Sequence, residues 1–101
     1  MNFKLNYEGF EQYLVDDEPL QYSWLKNARY EFRFENGYGA SVIKHKYSYG
    51  GEEDLWELAV LKYDKDGNGH ICYSTEIADD CIGWLTDEKV RDLLGRIKEL
   101  K

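Results

Sequence analysis

The sequence predicts an α+β domain in which an antiparallel sheet carries a C-terminal helix on one face. Three observations support this prediction. Aromatic and charged residues alternate strictly over 29–35, a pattern typical of a half-buried strand. The dipeptide Asn36-Gly37 follows, and it readily adopts the positive φ angles of a tight hairpin turn. Apolar residues recur at helical spacing over 90–100, near the end of the chain.

The sheet is expected to contain four strands joined as a meander. We place them at 29–35, 39–46, 55–62 and 70–74. On the second strand, Ile43 and Tyr47 share one face. Val42, Lys44 and Lys46 share the other face, and the two lysines predict that this side is the wetter one. The third strand is the most apolar of the four, which predicts a central position in the sheet.

The segment before the sheet is predicted to begin with a short helix over 6–14. Asn6 is a suitable N-cap residue, because its side chain can accept a hydrogen bond from an early backbone N–H. The helix is expected to end before Pro19, which disfavours helical geometry in the residue that precedes it. Residues 20–28 fit either an edge strand or a loop, and both interpretations stay open.

The C-terminal helix is the element that the sequence predicts most directly. Thr86 is placed to cap it, and Asp87 and Glu88 follow in the first turn, where the helix dipole favours negative charge. We expect Ile82 and Trp84 to hold the chain where the helix begins. The face that packs on the sheet consists of Val90, Leu93, Leu94, Ile97 and Leu100.

Length and charge limit the possible functions. The 101 residues have the size of one domain, spanning 1–101. The net charge is −7, and the segment 51–84 alone carries nine acidic residues and two lysines. Acidic proteins are repelled by phosphate backbones and anionic lipids, so we expect no direct binding to nucleic acid or to membranes. The sequence holds neither an apolar run of about 20 residues nor a signal-peptide pattern, which predicts a cytoplasmic protein.

One motif resembles the first eight positions of an EF-hand calcium loop, the string Asp64-Lys65-Asp66-Gly67-Asn68-Gly69-His70-Ile71. In that interpretation Asp64, Asp66 and Asn68 supply the oxygen ligands. The twelfth position needs a bidentate glutamate and holds Thr75 instead. The competing interpretation is a hairpin, in which Asp, Asn and Gly serve turn conformations. We expect the hairpin and no cofactor, with weak calcium binding by the three residues as the alternative.

The residue arrangements that usually carry catalysis are missing from the sequence. His45 and His70 are the only histidines, and their spacing matches no metal-binding pair. Cys72 and Cys81 lie nine residues apart, which fits neither a CxxC redox motif nor a set of metal ligands. We therefore expect a protein without enzyme activity, whose two thiols are reduced in the cytoplasm.

The connection between the second and third predicted strands is the candidate binding loop. It is the longest connection in the predicted sheet, and long loops carry function more often than short ones. Tyr47 and Tyr49 would supply aromatic anchors of the kind found at protein interfaces. Glu52, Glu53 and Asp54 add negative charge, which would attract a basic partner surface.

Several short runs of residues within 29–100 together carry a resemblance to a known group of proteins. They are Phe34-Glu35-Asn36-Gly37-Tyr38-Gly39-Ala40-Ser41-Val42-Ile43-Lys44, Ser48-Tyr49-Gly50, Glu52-Glu53-Asp54-Leu55-Trp56-Glu57, Asp79-Asp80, Ile82-Gly83 and Leu85-Thr86. Together they resemble a group of small uncharacterised proteins encoded by bacteriophages and prophages of Gram-positive bacteria. In those proteins the turn before the fourth strand is shorter, which favours the hairpin interpretation of 64–69.

The resemblance implies a phage accessory protein in the cytoplasm of an infected or lysogenic bacterial host, and it supplies no catalytic residues. We expect a non-enzymatic protein that binds a host protein, with inhibition of a defence or nucleic-acid-processing system as one such role. If the protein mimics nucleic acid, the contact falls to Glu52, Glu53, Asp54, Asp64 and Asp66. The alternatives are a weak calcium-binding module and a structural homodimer formed through the open sheet face or an edge strand.

Overall fold

The structure is a computed structural model that describes residues 4–17, 27–45, 48, 50, 53–72, 75, 77 and 81–100. These residues form an α+β fold with six strands and one α-helix, α1, which spans Asp87–Lys98. The strands are β1 (Leu14–Asp17), β2 (Asn27–Arg33), β3 (Tyr38–His45), β4 (Trp56–Tyr63), β5 (Gly69–Ile71) and β6 (Ile82–Leu85).

The sheet is an antiparallel meander from β1 to β5, and β6 joins it out of sequence order. Both β5 and β6 pair with the same edge of β4. β5 lies opposite 61–63, while β6 lies opposite 56–58. The two short strands therefore run in the same direction and together form one interrupted edge of the sheet.

The prediction of a meander with a C-terminal helix is confirmed, but the prediction of four strands is wrong. The predicted strands correspond to β2–β5, with bounds that differ by a few residues. β1 was missed because two of its four residues are aspartates, which are uncommon in strands. β6 was missed because its Ile-Gly-Trp-Leu sequence lacks regular alternation.

The predicted N-terminal helix is also wrong, because residues 6–14 contain only a single 3₁₀ turn at Glu11–Tyr13, which leads into β1. Gly9 has a φ of +96°, a left-handed conformation that interrupts a right-handed helix. The segment nevertheless covers the sheet, since the ring centroids of Tyr7 and Phe32 lie 5.7 Å apart. Aromatic residues of the segment also contact Phe34, since the ring centroids of Phe10 and Tyr13 lie 6.3 and 5.0 Å from that of Phe34.

Helix α1 is present as predicted. The side chain of Thr86 accepts a hydrogen bond from the Lys89 N–H at 3.2 Å, which caps the first turn. The apolar face of α1 packs mainly on β3 and β4 and buries Val90, Leu93, Leu94 and Ile97. At the other end, Asn36 Nδ2 donates to the carbonyl oxygens of Ile97, Lys98 and Leu100. The β2–β3 turn thereby holds the C-terminus of the helix.

One face of the sheet forms the core together with α1 and the N-terminal segment. The buried apolar sheet residues on this face are Ala28, Tyr30, Phe32, Ala40, Val42, Trp56, Leu58, Val60 and Leu85. Within the part of the chain that the structure describes, no helix is long and apolar enough to span a membrane.

Candidate protein-interaction surface

The predicted binding loop falls between β3 and β4, and only part of it is described. Tyr47, Tyr49 and Glu52 lie outside the described residues. Glu53 and Asp54 are exposed and are separated from the start of β4 by Leu55. Asp54 has a φ of +64°, one of two positive φ angles at non-glycine residues in the described part of the chain. The prediction that these five residues contact a partner stays a prediction, but the structure shows what surrounds two of them.

Asp54 lies beside a buried lysine. Lys44 is 1% exposed, so the prediction that it marks the wetter face of its strand is wrong. It follows Val42 on the core face, and its Nζ donates to Asp54 Oδ1 at 2.9 Å. The same Nζ lies 4.2 Å from the centroid of the Trp56 ring. The carboxylate and the indole together offset the cost of removing the ammonium group from water.

Trp56 connects this pair to the start of α1. Its Nε1 donates to Asp87 Oδ1 at 2.6 Å, and Asp87 Oδ2 accepts from the Asn6 N–H at 3.2 Å. Arg91 donates to the Asn6 carbonyl oxygen at 2.9 Å. A continuous set of polar contacts therefore joins the end of the loop, β4, α1 and the N-terminal segment.

The two residues expected to hold the chain at the start of the helix, Ile82 and Trp84, lie in different environments. Ile82 packs partly against the core, whereas Trp84 is 55% exposed. Its φ of +53° is the second positive value at a non-glycine residue among those described. The pairing of β4 with β6 is irregular there, so that Gly83 and Trp84 lie opposite Glu57, as in a β-bulge.

Gly50, a described residue of this loop, lies directly against Trp84. A Cβ on Gly50 would come within 2.8 Å of both the N and Cα atoms of Trp84 and within 3.1 Å of its Cδ1. Gly50 has a φ of +89°, and its carbonyl oxygen accepts hydrogen bonds from the N–H groups of Glu53 and Leu55. We call Gly50, Glu53, Asp54, Glu57 and Trp84 the Trp84 surface.

The sheet face opposite α1 carries a different, polar network. Arg29 forms ion pairs with Asp16 at 3.1 Å and with Glu31 at 2.7 Å. Tyr63 donates to Glu31 at 2.6 Å, and burial together with this carboxylate raises the pKa of the Tyr63 hydroxyl. Its ring lies close over two glycines: a Cβ on Gly39 or Gly69 would approach it within 2.8 and 2.9 Å. This network fixes the side chains of the face against one another.

The calcium-like motif forms the hairpin between β4 and β5. Asp64 Oδ1 accepts the N–H groups of Asp66 and Asn68 at 2.9 and 3.0 Å, and Oδ2 lies 3.0 Å from His70 Nε2. The hydrogen bond from the Asn68 backbone is the main cause that lowers the pKa of Asp64. Among the described residues, no group of three or more His, Cys, Asp and Glu side chains could hold a metal ion.

The two histidines lie far apart. His45 ends β3 at the edge near the Trp84 surface, while His70 lies in β5 opposite Lys62. Because Lys62 pairs with Tyr38, at the other end of β3, the two histidines are separated by about 20 Å of strand.

An open groove of about 490 Å³ beside α1 is lined by Ile77, Arg91, Asp92, Gly95, Arg96 and Glu99.

Comparison with known proteins gives no match: no family model, no curated protein and no solved structure matches this chain.

Proposed function

We propose that this chain is a non-enzymatic domain that binds another protein through the Trp84 surface. The observation that supports the proposal is the exposed indole of Trp84, which the fold holds in a left-handed backbone conformation. Tryptophan is among the residues most enriched at the energetic centres of protein interfaces. A strained backbone at a bulky residue persists only where the surrounding contacts impose it, here the close approach of Gly50.

The proposed partner is a host protein. This part of the proposal rests on the resemblance to bacteriophage and prophage proteins and on the acidity of the chain. In the cytoplasm of a bacterial host, such a protein could inhibit a defence or nucleic-acid-processing enzyme by occupying its basic groove. Glu53 and Asp54 of the Trp84 surface belong to the acids expected to act in that way.

A pull-down from bacterial lysate tests the proposal when two matched variants are compared with the unmodified chain. Trp84→Ala removes the exposed indole. Ile71→Ala is the matched control: Ile71 is 47% exposed and lies in β5, which pairs with the same edge of β4 as β6. We expect a captured protein that is lost with Trp84→Ala and retained with Ile71→Ala. Equal capture by all three chains would contradict the proposal.

Light scattering on the same samples addresses the alternative of a homodimer. We expect the unmodified chain to have the mass of one chain. A mass of two chains that falls to one in Trp84→Ala would assign this surface to a second copy and would overturn the proposal of a host partner.

A further inference from the structure

We infer that the Asn36 side chain is a deamidation site that the docked C-terminus of α1 protects, and that its conversion to aspartate releases this end of the helix. The inference is independent of the Trp84 surface and of the proposed function. It follows from the different surroundings of the two Asn-Gly dipeptides in the chain, Asn36-Gly37 and Asn68-Gly69.

Asparagine is most prone to deamidation when glycine follows it, because glycine has no side chain to hinder attack by its own nitrogen. The Gly37 nitrogen loses its proton to hydroxide and forms a bond to Asn36 Cγ. The bond between Cγ and Nδ2 breaks, and Nδ2 leaves as ammonia after taking a proton from water. Water then opens the resulting succinimide ring, which gives aspartate or isoaspartate. Water is the only reagent consumed, so the reaction needs no enzyme, oxidant or reductant.

The leaving group of this reaction is held by the helix. Asn36 Nδ2 donates to the carbonyl oxygens of Ile97, Lys98 and Leu100 at 2.9, 3.1 and 2.9 Å. On the other side of the same amide, Oδ1 accepts the Tyr38 N–H at 3.0 Å. The amide is therefore fixed at both of its polar atoms, and it satisfies carbonyl groups that the end of a helix leaves without an intrahelical partner.

The attacking nitrogen is held as well. The Gly37 N–H donates to the carbonyl oxygen of Phe34 at 3.3 Å. For the ring to close, this nitrogen must leave its hydrogen bond and the Asn36 side chain must turn toward it. The side chain can turn only after its contacts with the three carbonyl oxygens open. Deamidation at Asn36 therefore requires the end of α1 to undock first, a local opening of the kind that folded proteins undergo at element ends.

Asn68 supplies a reference within the same chain. It is exposed, and its described hydrogen bonds are made by its backbone. Its N–H donates to Asp64 Oδ1 at 3.0 Å, and its carbonyl oxygen accepts the Asp64 N–H at 3.0 Å. Because these bonds leave the amide group of the side chain out, folding should slow deamidation at Asn68 less than at Asn36.

The product of the reaction at Asn36 no longer holds the helix. A carboxylate has no N–H, so it cannot donate to the three carbonyl oxygens, and its charge lies where the helix dipole is already negative. Isoaspartate in addition adds a carbon atom to the backbone of the β2–β3 turn. Since neither product returns to asparagine, the release of the helix end is permanent.

The first test measures the deamidation of Asn36 and Asn68 in one sample, by mass spectrometry of peptides after incubation at mildly alkaline pH. In urea the two sites should react at similar rates. In the folded chain we expect Asn36 to react at least about tenfold more slowly than in urea, with a smaller slowing at Asn68. Equal slowing at the two sites would overturn the inference.

A variant at the helix end tests whether docking provides the protection. Leu100→Ala shortens a partly buried side chain that packs against the core. We expect it to accelerate deamidation at Asn36 in the folded chain and to leave the rate at Asn68 unchanged. A rate at Asn36 that does not respond to Leu100→Ala would contradict protection by the docked helix.

Two matched variants test the consequence of the reaction. Asn36→Asp and Asn68→Asp each add one negative charge to a turn. Hydrogen exchange at the N–H groups of Glu99 and Leu100, which close the last turn of the helix, reports the state of its C-terminus. We expect this exchange to be about tenfold faster in Asn36→Asp and unchanged in Asn68→Asp. Equal acceleration in both variants, or in neither, would overturn the release of the helix end.

Discussion

The two ends of the sheet differ in how their backbone and charges are accommodated. At one end, which we call the turn end, hydrogen bonds between near neighbours close the β2–β3 and β4–β5 turns, and Gly37 and Gly67 adopt the positive φ angles. At the other end, formed by the Trp84 surface and Lys44, a lysine is buried. There, the non-glycine residues Asp54 and Trp84 adopt positive φ angles in addition to Gly50.

This difference indicates where the fold departs from its own local preferences. A bulky residue in the left-handed region and a charged group in the core each cost free energy that other contacts must offset. At the turn end, residue type and conformation agree. Proteins tend to keep such local conflicts at sites with a function, so the comparison favours the end with Trp84 as the interaction site.

The largest expected effect comes from comparing two glycines with the same backbone conformation. Gly50 and Gly37 have φ angles of +89° and +88°. A Cβ on Gly37 meets no atom within 4 Å, whereas a Cβ on Gly50 meets backbone atoms of Trp84 at 2.8 Å. Backbone strain alone should make Gly37→Ala cost about 1–2 kcal/mol of unfolding free energy. Gly50→Ala should cost about 3 kcal/mol or more, because backbone atoms must also move.

Urea denaturation of the two glycine variants measures this difference. Gly50→Ala should also weaken capture of the lysate partner, because it displaces Trp84, whereas Gly37→Ala should leave capture unchanged. Equal losses of stability in both variants would show that Gly50 does not pack tightly against Trp84.

The buried charge at the Trp84 end gives the next effect. Asp54→Asn removes the charge beside Lys44 while retaining a residue that tolerates a positive φ angle. We expect a loss of about 1–2 kcal/mol, reduced from the value for a fully buried pair because the Asp54 side chain is 47% exposed. Lys44→Met leaves the exposed carboxylate hydrated and should cost less than about 1 kcal/mol. In thermal unfolding, Asp54→Asn should therefore have a lower melting temperature than Lys44→Met. The reverse order would contradict a stabilising ion pair between Lys44 and Asp54.

The strain at Trp84 itself is accessible through two substitutions at one position. Both Trp84→Gly and Trp84→Ala remove the indole, but only glycine adopts a φ of +53° without steric cost. The glycine variant should be more stable than the alanine variant by about 1 kcal/mol in urea denaturation. At a position with ordinary helical or extended backbone, alanine is the equal or better residue. A more stable alanine variant would mean that Trp84 is not strained.

The sequence predicted those parts of the fold that depend on near neighbours. The Asn36-Gly37 turn, the hairpin at 64–69 and the Thr86 cap each involve groups within a few residues of one another. The apolar stripe of α1 is likewise visible within twelve residues. In each case residue type, spacing and conformation agree, so local reasoning is sufficient.

The parts that were missed depend on contacts between distant segments. The burial of Lys44 requires Asp54 and Trp56, which reach it only after the β3–β4 connection folds back. Trp84 is exposed because the backbone of β6 bulges beneath Gly50, a residue from a separate loop. No sequence pattern around Trp84 distinguishes a core tryptophan from an exposed one. Glu53 and Asp54 were named from the sequence, whereas Trp84 and Glu57 could be added to the candidate site only from the tertiary structure.

The smallest expected effect is at the turn end and concerns the Asp64 carboxyl. Its pKa is lowered in the folded chain, chiefly by the hydrogen bond from the Asn68 backbone and also by His70. A carboxyl with a lowered folded pKa stabilises the fold above its unfolded pKa of about 3.9, and this contribution is lost as the pH falls through the folded value. Asp64→Asn keeps an oxygen acceptor for the turn but cannot ionise. The stability of the Asp64→Asn variant should therefore fall less than that of the unmodified chain when urea denaturation is compared between about pH 5 and pH 3.

Asp66→Asn is the matched control. It removes one charge from the same hairpin and leaves the Asp64 acceptor in place, so the dependence of its stability on pH should follow that of the unmodified chain. If the two variants shift the profile equally, the effect belongs to the net charge of the hairpin and not to the turn that Asp64 organises.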